Sequence, residues 1–458
     1  MAKRPPNVVL IVSDEHQRDM TGCYGHAEVE TPNLDRLAER GVTFDSAYCN
    51  SPLCVPSRAS FATGRYIHQI GTWDNGAPIG SDVETLGHVL GGVGYQTIVC
   101  GKMHWVGDDQ LHGFDERRTP EPHGTTISAP EREHIEPKPG NRGRISEAGV
   151  GDRGPVSMDR PAHSAVLKTL DEKEKNAPDQ PWLLVASYVS PHFPLLVPEP
   201  YFSRYFPNRV RPPVIPDGHL NRLHPASQLV RRHFDLDNPP TEEEVLRCRG
   251  AYLGLIDYFD DMVGEVVEKV ESSSFADDTV IIYTSDHGEM AGAHGMWWKC
   301  SMYEESVAVP WIISWPVELP QNERVRETVT LVDLLPTIAD LVGAQLPSGL
   351  PGQSVLRLIG GAAEERVGFS EYHAHGTTGA MYMIRKGALK YIHHQGYESH
   401  VLYDLPNDPG EFNNLAGAPE MASLLDDLHT ELLAVVDPEK TDAVAKADQA
   451  KRRRESAG

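Results

Sequence analysis

No run in these 458 residues is long and apolar enough to cross a bilayer. The longest aliphatic run near the start, Val8-Val-Leu-Ile-Val12, also lacks the length and the small-residue cleavage site of a secretory leader. The residues after Lys3-Arg4-Pro5-Pro6 read directly as the first strand of a fold, so a cytoplasmic protein with no membrane partner is expected. Cysteine is scarce, six in all with no Cys-x-x-Cys pair, which excludes a disulfide framework or a zinc ribbon. Reduced thiols suit that compartment. Positive charge is in deficit: 42 Lys and Arg stand against 66 Asp and Glu, a formal net charge of −24. That excludes nucleic acid and an anionic membrane surface as partners. Salt screens exposed charges beyond about 8 Å, so a local basic cluster can still hold a small anion. Internal repeats and extended low-complexity tracts are absent as well.

What is present is a series of short, continuous apolar runs: Asn7–Val12, Gln96–Cys100, Trp182–Val189, Thr279–Ser285 and Val309–Trp315. Continuous rather than alternating apolar character predicts parallel strands buried on both faces. Helical stretches lie between them. Thr241-Glu-Glu-Glu244 is a capping-box pattern, followed by Val245, Tyr252, Ile256, Phe259, Val263, Val267 and Val270 at helical spacing. Pro32–Gly41 predicts a second helix, with Thr31 as its cap. The fold class is therefore α/β, a large mostly parallel sheet flanked by helices, over residues 1–366. A smaller C-terminal lobe, 367–436, reads as an antiparallel sheet with one helix, Met421–Val436. A charged tail, 437–458, carries Lys451-Arg-Arg-Arg454 and is expected to extend across a surface or a partner subunit of a homo-oligomer, or to fray. Two long stretches break the pattern, Glu116–Pro161 and Pro198–Pro240, and loops of that length are usually functional lids or disordered insertions.

Chemistry-bearing residues gather where these strands end. Asp14 follows the first, Lys102 and His104 the second, His192 the third, and Asp286-His287 the fourth. The carboxyl edge of an open α/β sheet is where ligands bind. One such residue alone is a helix cap or a packed histidine; six at four strand ends on one edge are hard to explain that way. Asp14-Glu15 and Asp286-His287 together offer three carboxylates and an imidazole, a set that suits calcium or manganese better than structural zinc. Arg58, Lys102, His104 and Lys299 oppose them and would form a pocket for a compact anion, with Arg58 offering a planar fork of donors.

The stretch around Cys54-Val-Pro-Ser-Arg58 is the most specific motif. It resembles the Cys-x-Pro-Ser-Arg signature of the type I, formylglycine-dependent sulfatases of the alkaline phosphatase superfamily. The likeness extends through Ser13-Asp-Glu15, Gly22-Cys-Tyr-Gly25, Thr31-Pro-Asn-Leu-Asp35, Thr63-Gly-Arg65, Gly101-Lys-Met-His104 and Asp286-His-Gly288. It implies an alkaline-phosphatase-like fold and a sulfuric ester hydrolase. It also implies that Cys54 is oxidised to formylglycine by a maturation enzyme. Asp14, Glu15, Asp286, His287 and the modified Cys54 would hold one divalent cation, calcium first, with manganese and magnesium as alternatives. Glu15 departs from the Asp, Asn or Gln more usual there. Lys102 and Lys299 would hold sulfate oxygens, His192 would lie near the bridging oxygen, and Asn75 would line the pocket.

In the implied mechanism the aldehyde hydrates to a geminal diol, and one ionised hydroxyl attacks sulfur as the ester oxygen leaves. His192 protonates that oxygen. His104 then deprotonates the second hydroxyl, which collapses to the aldehyde and expels inorganic sulfate. Gly101–Gly113 resembles the choline-sulfatase-like branch in particular. A quaternary ammonium needs an aromatic or acidic cage, yet Glu116–Pro161 contains no Trp, Tyr or Phe. It carries His123, Arg142 and Arg144, which points to a polar alcohol such as a sugar sulfate, selected by Arg142 and Arg144. Two other readings stay open: a phosphonate monoester or phosphodiester hydrolase of the same superfamily, and a non-catalytic anion-binding protein. The Gly-Lys-x-His element favours sulfate over the first, and an intact set of reactive residues disfavours the second.

Overall fold

The computed structural model describes residues 5–130, 137–138, 140–177, 179–361 and 364–456; Lys3-Arg4 and the last two residues of the tail lie outside them. Ten strands precede the small lobe: β1 (Asn7–Asp14), β2 (Val42–Tyr48), β3 (Gln96–Gly101), β4 (Glu116–Arg117), β5 (Gly149–Val150), β6 (Trp182–Pro191), β7 (Leu196–Val197), β8 (Thr279–Ser285), β9 (Trp311–Ser314) and β10 (Glu323–Thr330). Eight of them form one sheet in the order β10-β2-β9-β8-β1-β6-β3-β4. Pairing is parallel except at β9, which runs antiparallel to both β2 and β8.

The continuous apolar runs have a direct cause. Along β1, Val8, Leu10 and Val12 enter the core on one face, while Val9 and Ile11 enter a second core on the other. A strand covered on both faces has no polar side to alternate with. The helix Glu242–Glu271 crosses one face, and its Thr241–Glu244 capping box forms as expected. The helix Pro32–Glu39 also forms, but Thr31 does not cap it; its hydroxyl donates to Asp35 and accepts from the Gly22 amide. The insertions are not featureless. Short helices occupy Tyr201–Tyr205, His219–Arg222, Pro225–His233 and Asn141–Ser146, and β5 pairs with β7.

The smaller lobe is an antiparallel meander, β11 (Val367–Tyr372), β12 (Met381–Lys386), β13 (Leu389–His394) and β14 (Val401–Asp404), covered by the helix Ala422–Val435. The tail is a helix, Pro438–Ser456, packed on the protein's own surface. Gln449 donates to Asp74 at 2.9 Å and to the His373 carbonyl at 2.8 Å, and Arg452 pairs with Asp74 at 2.7 Å. The basic cluster thus has partners inside this chain.

Glu371, in β11, ties the two lobes. It is fully buried and accepts from the His68 amide and Nδ1, both at 2.9 Å, and pairs with His373 Nε2 at 2.8 Å. Burial alone would raise its pKa, but the His68 charge and the His373 hydrogen bond outweigh it and hold the carboxyl at about 2. A folded value below the unfolded one contributes stability that is complete above about pH 4.5 and lost as pH falls towards about 2. At about 1.4 kcal/mol per unit, the contribution is on the order of 3 kcal/mol. Glu371→Gln is therefore expected to lower the unfolding midpoint near neutral pH, with the gap from wild type closing on acidification. A gap that stays constant from about pH 6 to about pH 3 in a thermal-shift series would contradict this.

Candidate active site

Asp14, Lys102, His192 and Asp286 stand at or just beyond the ends of β1, β3, β6 and β8, four strands adjacent in the sheet. Parallel pairing brings all four carboxyl ends to one edge, with Ser13 opposite Ser285 and Gly101 opposite Ser187. Gly101 must be glycine: its φ is +92°, and a Cβ there would fall 1.8 Å from the Ser187 carbonyl oxygen. That close approach sets the direction in which Lys102 leaves β3.

Cys54 opens the helix Cys54–Thr63, which is buried along its whole length. Asn75 Oδ1 accepts from the Val55 amide at 3.0 Å and so satisfies one open donor of the first turn. The Cys54 Sγ lies 3.2 Å from His287 Nε2 and 3.8 Å from Asp14 Oδ1. Candidate ligand atoms of Asp14, Cys54, Asp286 and His287 all fall within 4.8 Å of one another. His287 Nδ1 bonds the Gly288 carbonyl at 3.0 Å, which leaves the Nε2 lone pair facing the cluster. Burial pushes the Cys54 thiol up to about 12 despite Lys299, so an unmodified cysteine here is a poor nucleophile at neutral pH.

Arg58 is wholly buried. Its Nε donates to Asp286 Oδ2 at 2.7 Å, and its Nη1 to the Lys102 carbonyl at 2.6 Å and to Ser187 Oγ at 2.8 Å. Among the described residues its Nη2 has no hydrogen-bond partner, and it stands 3.6 Å from Asp14 Oδ2. Burial works against the charge of Asp286, but Arg58, His287 and Lys102 hold its pKa at about 2. Lys102 Nζ contacts Asp14 Oδ2, and burial lowers that ammonium to about 7.

Glu15 extends the acidic set, forming with Asp14 and His192 an overlapping group of candidate ligands. With φ at +68°, it meets Lys299 Nζ and His192 Nε2, each at 3.1 Å, and its ligand atom stays within 4.8 Å of those of Asp14 and His192. Burial, with Glu289 beside it, raises its carboxyl well above the ordinary range in spite of Lys299. Lys299 in turn donates to His192 Nε2 at 2.8 Å, while His192 Nδ1 bonds the Phe193 carbonyl at 2.5 Å. His104, with φ at +59°, has its ring 4.6 Å from that of His123, and burial together with Lys102 keeps its imidazole neutral.

Three contributors escaped the motif reading. Glu289 accepts from the Ala291 and Trp298 amides at 2.9 and 2.7 Å and so shapes the loop carrying Lys299. Its place three residues after Asp286 is the signal that could have found it. Glu121 accepts from the Met103 and His104 amides at 3.0 and 2.7 Å, and Ser187 receives Arg58; neither sits in a recognisable motif. Arg142 is occupied elsewhere: its guanidinium forks onto Glu244 at 3.1 and 2.6 Å and steadies the start of the helix Glu242–Glu271. Arg144, on the same short helix, is exposed.

Comparison with known proteins bears on the same residues. The pattern describing the sulfatase family matches residues 6–344, which include every one of these groups. The chain belongs to the sulfatase family. It is a sulfuric ester hydrolase of the alkaline phosphatase superfamily, and the pattern for the C-terminal part of N-sulphoglucosamine sulphohydrolase matches 292–437. Among curated relatives of this sulfatase, choline-sulfatase of Rhizobium meliloti (strain 1021) is 32% identical over 436 residues, covering 92% of this chain and 84% of that one. Arylsulfatase K of Mus musculus is 30% identical, covering 92% and 78%. Among solved structures, phosphonate monoester hydrolase of Agrobacterium radiobacter superposes with a TM-score of 0.76 at 25% identity, covering 94% of this chain and 95% of that one. A protein solved with its substrate D-glucosamine-2-N,6-O-disulfate shares the fold, with a TM-score of 0.73 at 22% identity, covering 94% and 97%.

Proposed function

We propose that this sulfatase hydrolyses a small sulfate ester using formylglycine made from Cys54 and one divalent cation, calcium. The observation that carries the reading is the position of Cys54. It opens a buried helix between the acidic Asp14–Asp286–His287 set and the basic Arg58–Lys102–Lys299 set. The donors fit a cation: two carboxylates and an imidazole lone pair converge within 4.8 Å, next to the orphaned Glu15 Oε1. Asp14, Asp286, His287 and the modified residue 54 would hold the ion, with Glu15 alongside. When bound, it would polarise a sulfate oxygen and favour an oxyanion at residue 54. The hydrated aldehyde supplies a nucleophile plus a second hydroxyl through which sulfate can be released.

The chain's own groups do the rest. The free Arg58 Nη2 and the ammonium groups of Lys102 and Lys299 would receive sulfate oxygens. Lys299 and His192 share a hydrogen bond, and the pair passes a proton to the leaving oxygen. Neutral His104, whose Nδ1 is buried without a partner, acts as the base for sulfate release. From the first insertion His123 enters the site, its ring 4.6 Å from that of His104 and 6.1 Å from that of His192. A polar alcohol such as a sugar sulfate suits this histidine-lined mouth, and the exposed Arg144 would be a further contact for it. Arg142 would serve by holding the insertion against Glu244.

Peptide mapping of residue 54, followed by sulfate release from aryl, choline and sugar sulfates with a phosphonate monoester alongside, tests the reading. Formylglycine at 54 and a preference for sulfate are expected; hydrolysis of the phosphonate monoester alone would overturn it. His123→Ala is expected to shift the ranking of sugar sulfates by about tenfold while sparing a small aryl sulfate. Equal effects on all substrates would move selection elsewhere.

A further inference from the structure

About the loop that carries Lys299, a second group of metal-type ligands converges at the junction with the small lobe. His294, Glu305 and Glu411 offer candidate ligand atoms within 4.8 Å of one another. They come from three separate places: the tight turn Gly292–Gly295, the short helix Glu304–Val307, and the turn after β14. None belongs to the site described above.

The histidine is built as a ligand. Its side chain is 1% exposed, its φ is +53°, and its ring stacks on Tyr303 with centroids 3.8 Å apart. Nδ1 is engaged by His219 Nε2 at 2.8 Å, whereas Nε2 is buried without a hydrogen-bond partner and faces Glu305 Oε2 at 3.7 Å. In the tautomer whose Nδ1 hydrogen is donated to His219 Nε2, the His294 Nε2 lone pair is left bare towards Glu305. A partner that fixes the tautomer through the other ring nitrogen is the usual support of a metal-bound imidazole.

The carboxylates point the same way. Glu305 Oε2 is also buried without a hydrogen-bond partner. Glu411 is 1% exposed; its Oε2 accepts from the Glu304 amide at 2.6 Å. Its Oε1 lies 2.9 Å from Lys390 Nζ, which is equally close to Glu304. One ammonium is therefore shared by two carboxylates. Among the described residues, Glu305 has no ion-pair partner beyond the His294 ring. The Glu305 side chain keeps 19% exposure, but its Oε2 is buried without a partner, and such a group is costly. A recess of about 290 Å³ opens beside Glu305, lined also by Arg249, Phe412, Gly410, Ala293 and Met290.

We infer that His294, Glu305 and Glu411 form a second divalent cation site, of zinc type, that fastens the Lys299 loop to the small lobe. One imidazole and two carboxylates leave a fourth position for water from the recess, the donor count of a zinc centre; calcium would need six or more oxygens. Ligand bonds of about 2.0–2.2 Å place two ligands of one tetrahedral ion some 3.3–3.6 Å apart, near the His294–Glu305 separation of 3.7 Å.

The test is a count of ions. Chelator-treated protein would be titrated with Zn2+ and the bound metal measured per chain in wild type, Glu305→Gln, Asp286→Asn and the double variant. Glu305→Gln is expected to bind one equivalent fewer than wild type, and the double variant one fewer than Asp286→Asn, whatever the first site takes up. Glu305→Gln binding as much zinc as wild type would overturn the site. Diffraction from zinc-soaked wild-type crystals at the zinc edge guards against a misfolded variant. It should show an anomalous peak between His294, Glu305 and Glu411, and its absence would equally overturn the inference. Because occupancy is read directly, neither outcome depends on the sulfate-ester reading of the first site.

Discussion

Cys54→Ala is expected to abolish multiple-turnover sulfate release, a loss of about 10⁴-fold or more, while leaving the fold intact. Cys54 is buried and small, so alanine leaves little cavity. The neighbouring charges also keep their partners: Arg58 on Asp286, Lys102 on Asp14 and Lys299 on Glu15. Unfolding midpoints of the two proteins should therefore nearly coincide. Cys54→Ser separates the mechanism from simple thiol chemistry. A serine hydroxyl can make the first bond to sulfur but has no second hydroxyl through which to expel sulfate. It should give at most one equivalent of alcohol per chain and then stall. Sustained turnover by either variant would remove residue 54 from the reaction.

Asp286→Asn should cost on the order of 10³-fold in kcat/KM, and added calcium should not restore it. The carboxylate accepts from Arg58 Nε at 2.7 Å, the His287 amide at 2.9 Å and the Glu15 amide at 3.1 Å, and it belongs to the proposed cation set. Asparagine keeps the shape but removes the charge against which Arg58 is held. Alanine would add the penalty of a buried guanidinium without its counter-ion, about 3–5 kcal/mol, and would confuse folding with catalysis. In parallel, chelation of the wild-type enzyme should abolish activity, with calcium or manganese restoring it. Full activity after exhaustive chelation, in protein shown by elemental analysis to hold no metal, would rule out the cation.

The two expectations differ in how directly each residue could be seen. Cys54 is legible because its neighbours in sequence are also its neighbours in the site: one helix carries both the nucleophile position and Arg58. Asp286 and His287 are adjacent and come directly after a strand, so their role could be read in the same way. Glu15 also sits in a motif, yet its carboxylate is engaged by Lys299 and His192 and joins Asp14 in a ligand group beside the one around Cys54. A positive φ at one residue changes the direction of a side chain, and no residue spacing reports it. Arg142 stood out through its charge within an insertion; its partner, Glu244, lies about a hundred residues further along the chain. Only packing could show that the guanidinium is occupied.

By itself the sequence determined the two-sided burial of the central strands, the capped helix at Thr241, the antiparallel character of the small lobe, and the chemical types at the strand ends. All of these are local: apolar periodicity and capping depend on residues within a turn or two of one another. The tertiary structure decided the strand order β8-β1-β6-β3, which makes four separated segments into one edge, and the antiparallel direction of β9. It also decided that the basic tail folds back on Asp74, next to the Asn75 that satisfies the Cys54 helix. Those outcomes depend on which distant surfaces bury each other and which charges find counter-ions. Such contacts join residues hundreds of positions apart, and their energies are not carried by any single stretch of chain.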